Sequence, residues 1–292
     1  IKSLKTKKLV DISKEILVIN EFGFLNKASI NYNIYRSLPF MMNFCEEIIH
    51  QSYNPKKINF LFETLIKSIK HVNNSWEIEA NNGIFFKSRN LILSSSLLAH
   101  SRCLEILNTT YLPLRDSMIL GKDDVVDSVL RETSKLSYIK RKIYILYVSN
   151  LEVVNNFNYI YLQILFENVI KDDLNFERII FQGQSDGSMI IVLHCSYTGT
   201  LIDINSDNII KCLLSLFQNY IKFLDLFLEA KIIDTMKWRA SQPLNHLLPK
   251  ELQWSANSNI GFCGDWFDMD CLGGIESAIN SSIRLAKLLS WK

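Results

Sequence analysis

The sequence predicts an α/β fold that encloses an α+β block, and three observations predict it. Residues 58–94 hold five short runs rich in β-branched and aromatic residues, separated by Asn73-Asn74 and Asn81-Asn82-Gly83, which suit tight turns. Strand-like runs return between residues 142 and 194 and lead into a long amphipathic stretch, residues 207–232. A short apolar run at 260–263 then meets Gly264-Asp265, and a Gly-Gly pair opens a closing helix.

Taken in order, residues 15–19 read as a strand and 38–51 as a helix with Pro39 near its start, where a missing N–H costs little. Strands follow at 58–62, 65–71, 76–80, 84–87 and 90–94. A short helix is expected over 97–107, with a connector at Tyr111-Leu112-Pro113-Leu114. Residues 123–135 place Val125, Val126, Val129 and Leu130 on one helical face behind an acidic pair suited to a helix N-terminus. Further strands are expected at 142–148, 159–166, 177–181 and 189–194, with Gly183 and Gly187 at the last turn. The single long helix 207–232, a strand at 233–239, a loop at 243–249, the strand 260–263 and a helix over 274–289 complete the reading.

With 292 residues, 48% of them hydrophobic, the chain can bury a sizeable core as one large domain or two interleaved ones. Its 32 basic and 30 acidic side chains leave a net charge of +2, which gives no footprint for a polyanion, so nucleic acid is not expected as a partner. Six cysteines without a C-x-x-C pair suggest reduced thiols and a cytoplasmic protein. No run approaches the ~20 apolar residues of a membrane span, because Lys211, Gln218, Lys222, Asp225, Glu229 and Lys231 interrupt the most apolar stretch. The chain starts with Ile1 instead of Met, and residues 1–14 lack a signal-peptide core, so a fragment of a longer chain is expected.

The chemistry concentrates near the C-terminus. Residues 259–265 read Asn-Ile-Gly-Phe-Cys-Gly-Asp, and Gly273-Gly274-Ile275-Glu276-Ser277-Ala278 follows the loop. Glycines at a helix start let backbone approach a ligand, and the unsatisfied N–H groups there favour electron-rich atoms. An Asp at a strand end accepts hydrogen bonds from ligand hydroxyls. Together these features describe a cradle for a cofactor. Elsewhere, His50, His71, His100, His194 and His246 have no partner at metal-ligand spacing, so no metal site is expected. Cys263 lacks a neighbouring base, and the basic runs at 5–8 and 140–142 read as solvated surface. Asp123-Asp124 and Asp172-Asp173 read first as turn or cap residues. No G-x-S-x-G, P-loop or H-E-x-x-H is present.

The pattern strand, Cys263-Gly264-Asp265-Trp266, loop, Gly273-Gly274-x-Glu276-x-Ala278-x-x-Ser281 resembles the C-terminal FAD motif of renalase-like flavoproteins, relatives of the amine oxidase superfamily. Residues 236–243, Met-Lys-Trp-Arg-Ala-Ser-Gln-Pro, resemble the family's His-Arg-Trp-Arg-Tyr-Ala stretch and its following Pro; Trp238, Arg239 and Pro243 match, while Met236 and Ala240 replace His and Tyr. Ser282 stands where the family usually has Gly. The family's N-terminal G-x-G-x-x-G and the acidic residue about 20 positions later have no counterpart among the ten glycines here.

The resemblance implies an FAD/NAD(P)-binding fold of the amine oxidase/glutathione reductase type, N-terminally truncated, with an antiparallel-sheet substrate domain. It implies an FAD domain from 58–98 and 255–292, a substrate domain from 99–254, and a bridging segment over 1–57. FAD would be held by backbone groups near Ile66 at the adenine, by Gly264 and Asp265 at the ribityl or pyrophosphate region, and by N–H groups around Gly273, Gly274 and Ile275 at the pyrimidine edge. Trp238 and Arg239 would wall the substrate pocket. The implied activity is hydride transfer to flavin N5 from a small molecule, with reduced nicotinamide or an amine as donor and no membrane partner. Two rivals stand beside it: a non-catalytic scaffold, favoured by the lost His and Tyr, or a fragment that without the G-x-G-x-x-G unit no longer binds FAD, and a methyltransferase-like nucleotide-binding protein, for which no Gly-rich loop follows an early strand.

Overall fold

The turns expected from Asn and Gly form where the backbone needs positive φ: Asn73 and Asn74 (φ 50° and 56°) close one hairpin and Gly83 (φ 80°) the next. The computed structural model describes residues 9–30, 34–37, 41–50, 57–171, 174–197, 206–267 and 274–290. Along the chain, β1 (Leu9–Asp11), β2 (Ile16–Asn20), β3 (Leu25–Lys27) and β4 (Tyr35–Ser37) precede α1 (Met41–His50). Next come β5 (Ile66–Val72), β6 (Ser75–Ala80), β7 (Phe85–Ser88), β8 (Leu91–Leu93), α2 (Cys103–Ile106), α3 (Pro113–Asp116) and α4 (Asp124–Thr133). The middle holds β9 (Tyr138–Val148), α5 (Leu151–Phe157), β10 (Tyr161–Glu167), β11 (Ile170–Lys171), β12 (Leu174–Gly183), β13 (Met189–Tyr197), α6 (Ser206–Leu216), α7 (Ile221–Glu229) and β14 (Lys231–Pro243). The chain closes with β15 (Trp254–Ser255), β16 (Ile260–Phe262) and α8 (Ile275–Ser290). This is a mixed α/β chain, and none of the helices among the described residues is long and apolar enough to cross a membrane.

Contacts divide the chain into two compact units, Ile1–Lys57 with Lys140–Arg239, and Ile58–Ile139 with Ala240–Lys292. Residues 99–139 and 240–254 thus cluster with 58–98, because Leu114, Val126, Val129 and Leu136 share one core with Leu93 and Phe262.

The first unit is built on an eight-stranded sheet in the order β14-β9-β13-β12-β10-β2-β3, with β11 on β12. β9, β13, β12 and β10 pair antiparallel, whereas β2 joins β10 in parallel. Alternation decides the faces: Tyr144, Leu146, Phe181, Ile191 and Leu193 are buried beside Phe157, Phe223 and Phe227 from the helices and Phe217 from the turn after α6. The rings interlock at centroid distances of 5.1 Å for Phe157–Phe181, 4.8 Å for Phe217–Phe223 and 5.3 Å for Phe217–Phe227. Each such ring contributes about 2–3 kcal/mol through burial. The opposite face carries His194 across from Arg178 and Ile143, in one row.

The second unit has the β5-β6-β7 meander and a smaller sheet, β15-β16-β8, in which β16 and β8 run parallel. Trp76 is fully buried and donates its indole N–H to the Ser258 carbonyl (2.8 Å). Asp123 caps α4 as expected, accepting from the N–H groups of Val125 and Val126 (both 3.1 Å), and it also takes the hydroxyls of Ser255 and Ser258.

Three expectations fail for physical reasons. Residues 58–62 form no strand, and Phe60, Leu61 and Phe62 lie 49%, 56% and 82% exposed, with no partner strand to shape them. Residues 97–107 split into a 3-10 turn (Leu97–Ala99) and α2, because His100 is extended and its ring accepts the Arg102 N–H (3.0 Å). The helix over 207–232 breaks between Leu216 and Ile221: the Tyr220 hydroxyl accepts the Leu25 N–H (2.8 Å), and Gly23 sits so close to Leu216 that a Cβ there would lie 2.6 Å from its carbonyl oxygen. The helices α3 and α5 appear where the sequence reading placed a connector or nothing.

Burial, then Arg178, then Arg141 hold the His194 imidazole at a pKa of about 3. The unfolded chain would take up a proton near pH 6.5 that the folded one refuses, so this contribution is complete above that pH and is lost as pH falls toward 3. Urea unfolding followed by circular dichroism should lose about 1.5 kcal/mol between pH 6.5 and pH 5 from this group, and His194→Gln should remove that part of the slope.

Candidate functional site

Parallel strands leave their carboxyl ends side by side, and ligands bind there in open α/β sheets. β8 and β16 end at Leu93 and Phe262, and Cys263 N–H donates to the Leu93 carbonyl (3.1 Å) to extend the pair by one residue. Gly264 then turns the chain at φ 127°, where a Cβ would lie 2.4 Å from the Ser94 carbonyl oxygen and 2.6 Å from the Trp266 indole nitrogen. No side chain fits that space. Trp266 is itself fixed by donation to the Cys263 carbonyl (2.7 Å).

Helix α8 is clamped to this turn by polar groups. The fully buried Ser281 hydroxyl accepts the Gly264 N–H and donates to the Gly264 carbonyl, both at 2.8 Å. The buried Gln253 amide donates to the Phe262 carbonyl (3.2 Å) and the Ser281 carbonyl (2.8 Å). Gly261 lets Leu285 pack against the strand, since a Cβ would already touch that side chain at 3.0 Å. The small residues along α8 therefore serve close helix–strand packing.

Asp265 follows the turn, half-buried, and accepts a hydrogen bond from the Gly274 N–H just before α8. Burial raises its pKa above the usual carboxylate value, while that hydrogen bond, its own backbone N–H and the Arg102 charge act the other way. Gly274 is exposed at φ 93° with open space around its α-carbon, and Ile275 is 50% exposed. Gly273 lies outside the described residues. Ile66 starts β5, half-buried against the core of its unit, and a register shift between Ile66 and Ser68 frees the Lys67 carbonyl to accept the Tyr111 hydroxyl (3.2 Å). Trp238 and Arg239 belong to β14 in the other unit, where both are exposed.

Arg102 and Tyr138, both close enough to couple electrostatically to Asp265, are not among the site residues expected from sequence, nor are Ser96 and His100, which contact them. The Arg102 guanidinium lies 4.2 Å from the Tyr138 ring centroid and donates to the Ser96 hydroxyl (3.1 Å), which also bonds the Tyr138 hydroxyl. Its buried Nε has no partner, and it makes no ion pair among the described residues. Burial raises the Tyr138 pKa, so the phenol stays protonated. His100 takes the Arg102 N–H on Nδ1 and meets the Leu136 carbonyl with Nε2 (3.1 Å), which makes it neutral with the proton on Nε2; burial lowers its pKa accordingly. The signal that could have found this cluster is Ser94-Ser95-Ser96 directly after β8, polar residues at the carboxyl end of a buried strand. Cys263 is buried with a raised pKa, unsuited to act as a nucleophile. Among the described residues no group of three or more His, Cys, Asp or Glu comes together as metal ligands would.

No family model and no curated protein matches the chain. Solved structures do. Two putrescine oxidase variants with redesigned cofactor binding, a triple mutant and a single mutant, are each similar with a TM-score of 0.55 at 10% identity, over 88% of this chain and 54% of theirs. FqzB is similar with a TM-score of 0.50 at 6% identity, over 93% of this chain and 57% of its own. The chain spans a little over half the length of the solved structures it matches, and what it shares with them is the fold.

The turn at Gly264 can be tested by filling it. Gly264→Ala should destabilise the second unit by about 2–4 kcal/mol, from the positive φ together with the overlap on Ser94, seen as a lower urea midpoint. Ser281→Ala should cost about 1–3 kcal/mol through the unsatisfied Gly264 amide.

Proposed function

We propose that the chain is an FAD-dependent oxidoreductase of the renalase-like, amine oxidase kind, which takes a hydride from a small donor such as a reduced nicotinamide or an amine. One observation carries the reading. At the joined carboxyl ends of β8 and β16, Asp265 and the start of α8 stand beside Arg102, whose buried Nε has no partner. A group bearing both hydroxyls and an anion fits such a cluster, and the fold shared with putrescine oxidase supports it.

FAD supplies hydride acceptance at flavin N5 when bound. The chain's own groups bind and orient. Asp265 would accept ribityl hydroxyls. Arg102, oriented by Ser96 and the Tyr138 ring, would donate to a phosphate oxygen. The Ile275 N–H would point to electron-rich atoms, where the helix dipole favours growing negative charge, while the Gly274 N–H holds Asp265. Ile66 would contact the adenine through backbone, and Trp238 with Arg239 would face the donor.

The second reading, a scaffold without flavin chemistry, draws on Met236 and Ala240 in place of His and Tyr beside the exposed Trp238. Titration of the chain with FAD separates the two. The oxidoreductase reading expects a flavin band near 450 nm that stays with the protein through gel filtration and saturates with added FAD, the affinity weakened about 10- to 100-fold by Arg102→Gln or Asp265→Asn. A folded chain indifferent to FAD would leave the scaffold. If flavin binds, its bleaching by NADH or by an amine identifies the donor.

A further inference from the structure

In the first unit, the sheet face opposite the phenylalanine core has an unusual charge inventory. The registers of β9, β13, β12 and β10 place Ile143, His194, Arg178 and Leu165 in one row and Ile145, Val192, Ile180 and Gln163 in the next. The following row carries Tyr161, whose ring lies under the Arg36 guanidinium at 4.3 Å and whose hydroxyl bonds the Gln163 amide oxygen (3.3 Å). Beside the first row, Arg141 forms a two-bond pair with Glu177 (2.6 and 3.2 Å). An apolar floor of Ile143, Ile145 and Val192 thus meets a polar end, while Ile180 and Leu165 pack against Ile12, Ile16 and Tyr161.

The carboxylates do not balance that end. Glu177 is taken by Arg141, and Glu15, although near enough to act on the Tyr161 hydroxyl, pairs with neither remaining arginine. Arg178 and Arg36 therefore make no ion pair among the described residues, and both charges act on Tyr161. Arg178 is exposed by area, although burial and the Arg141 charge lower its pKa and Glu177 acts the other way. Burial first, and then the charges of Arg178 and Arg141, lower the pKa of His194 in the same row. A planar guanidinium matches a carboxylate through two parallel hydrogen bonds, whereas an ammonium would be repelled.

We propose that this face binds a small carboxylic acid with an apolar body, its carboxylate on Arg178 with Arg36 and Tyr161 beside it and its hydrocarbon part on Ile143, Ile145 and Val192. This goes beyond the oxidoreductase reading and does not depend on it.

The test is calorimetric titration of the full chain with octanoate, octanamide and octylamine. Octanoate should bind saturably and at least tenfold more tightly than either of the others. Arg178→Gln and Arg36→Gln should each remove at least a tenfold share of that affinity while the circular dichroism stays unchanged, and Arg178→Lys should restore part of it. Should Arg178→Gln fail to fold, Arg36→Gln and the comparison of the three ligands decide. Octanoate should also raise the His194 pKa in an NMR titration. Equal binding of octanoate and octylamine, or unaltered affinity in the folded variants, overturns the proposal. FAD uptake is read separately on the same preparation. Octanoate binding without FAD uptake refutes only the flavoenzyme reading, and FAD uptake without a preference for octanoate refutes only this one.

Discussion

The second unit depends on one close approach, that of Gly264 to the carbonyl of Ser94. β8 and β16 are three residues each and parallel, so no hairpin can hold them together. Their association relies on what happens at their ends. Leu91 N–H reaches the Asn259 carbonyl (3.1 Å) at one end, Cys263 N–H reaches Leu93 at the other, and the Gly264 turn brings the two chains within backbone contact. Gln253 then satisfies the Phe262 carbonyl, and Ser281 both the N–H and the carbonyl of Gly264. A side chain at position 264 would push the strand ends apart and expose all of these groups at once. Asp265 owes its position to the same turn.

The first unit solves a different problem. A wide sheet with helices on one side commits that side to apolar residues, and the interlocked phenylalanines fill it. The other side buries a smaller cluster of Ile12, Ile16 and Tyr161 with Ile180, and carries arginines, a histidine and a glutamine among isoleucines beside it. The separation is enforced by the period of two along each strand. A one-residue slip would bring Arg178 into the phenylalanine core, so register protects both the fold and the polar face.

How much of this was legible in the sequence follows from the range of the interactions involved. The meander was legible because Asn73-Asn74 and Gly83 act on their own backbone, and the α4 start because Asp123 caps the N–H groups just after it. The strand–Gly264-Asp265–helix order was legible for the same reason. The helix over 207–232 was misread because its break depends on Leu25 and Gly23, nearly two hundred positions away, and periodicity carries no trace of them. Arg102 and Tyr138 were missed likewise: each is unremarkable in its own segment, and only folding sets one ring under the other's guanidinium. Residues 58–62 misled in the opposite sense, since strand propensity without a partner strand makes no strand.

A buried or half-buried arginine without a carboxylate is costly unless something offsets it. At Arg102 the Tyr138 face and the Ser96 hydroxyl offset part of that cost, of the order of 1–2 kcal/mol for the aromatic contact, and Asp265 lies near without closing an ion pair. At Arg36 the Tyr161 ring does the same. In both places an aromatic ring stabilises the cation on one side and makes no claim on its hydrogen-bond donors, as a carboxylate would. The net charge of +2 conceals this, because it averages over surface pairs that neutralise one another. Selectivity for an anionic group is then a matter of where counterions are withheld, and a chain of nearly balanced composition can possess it locally.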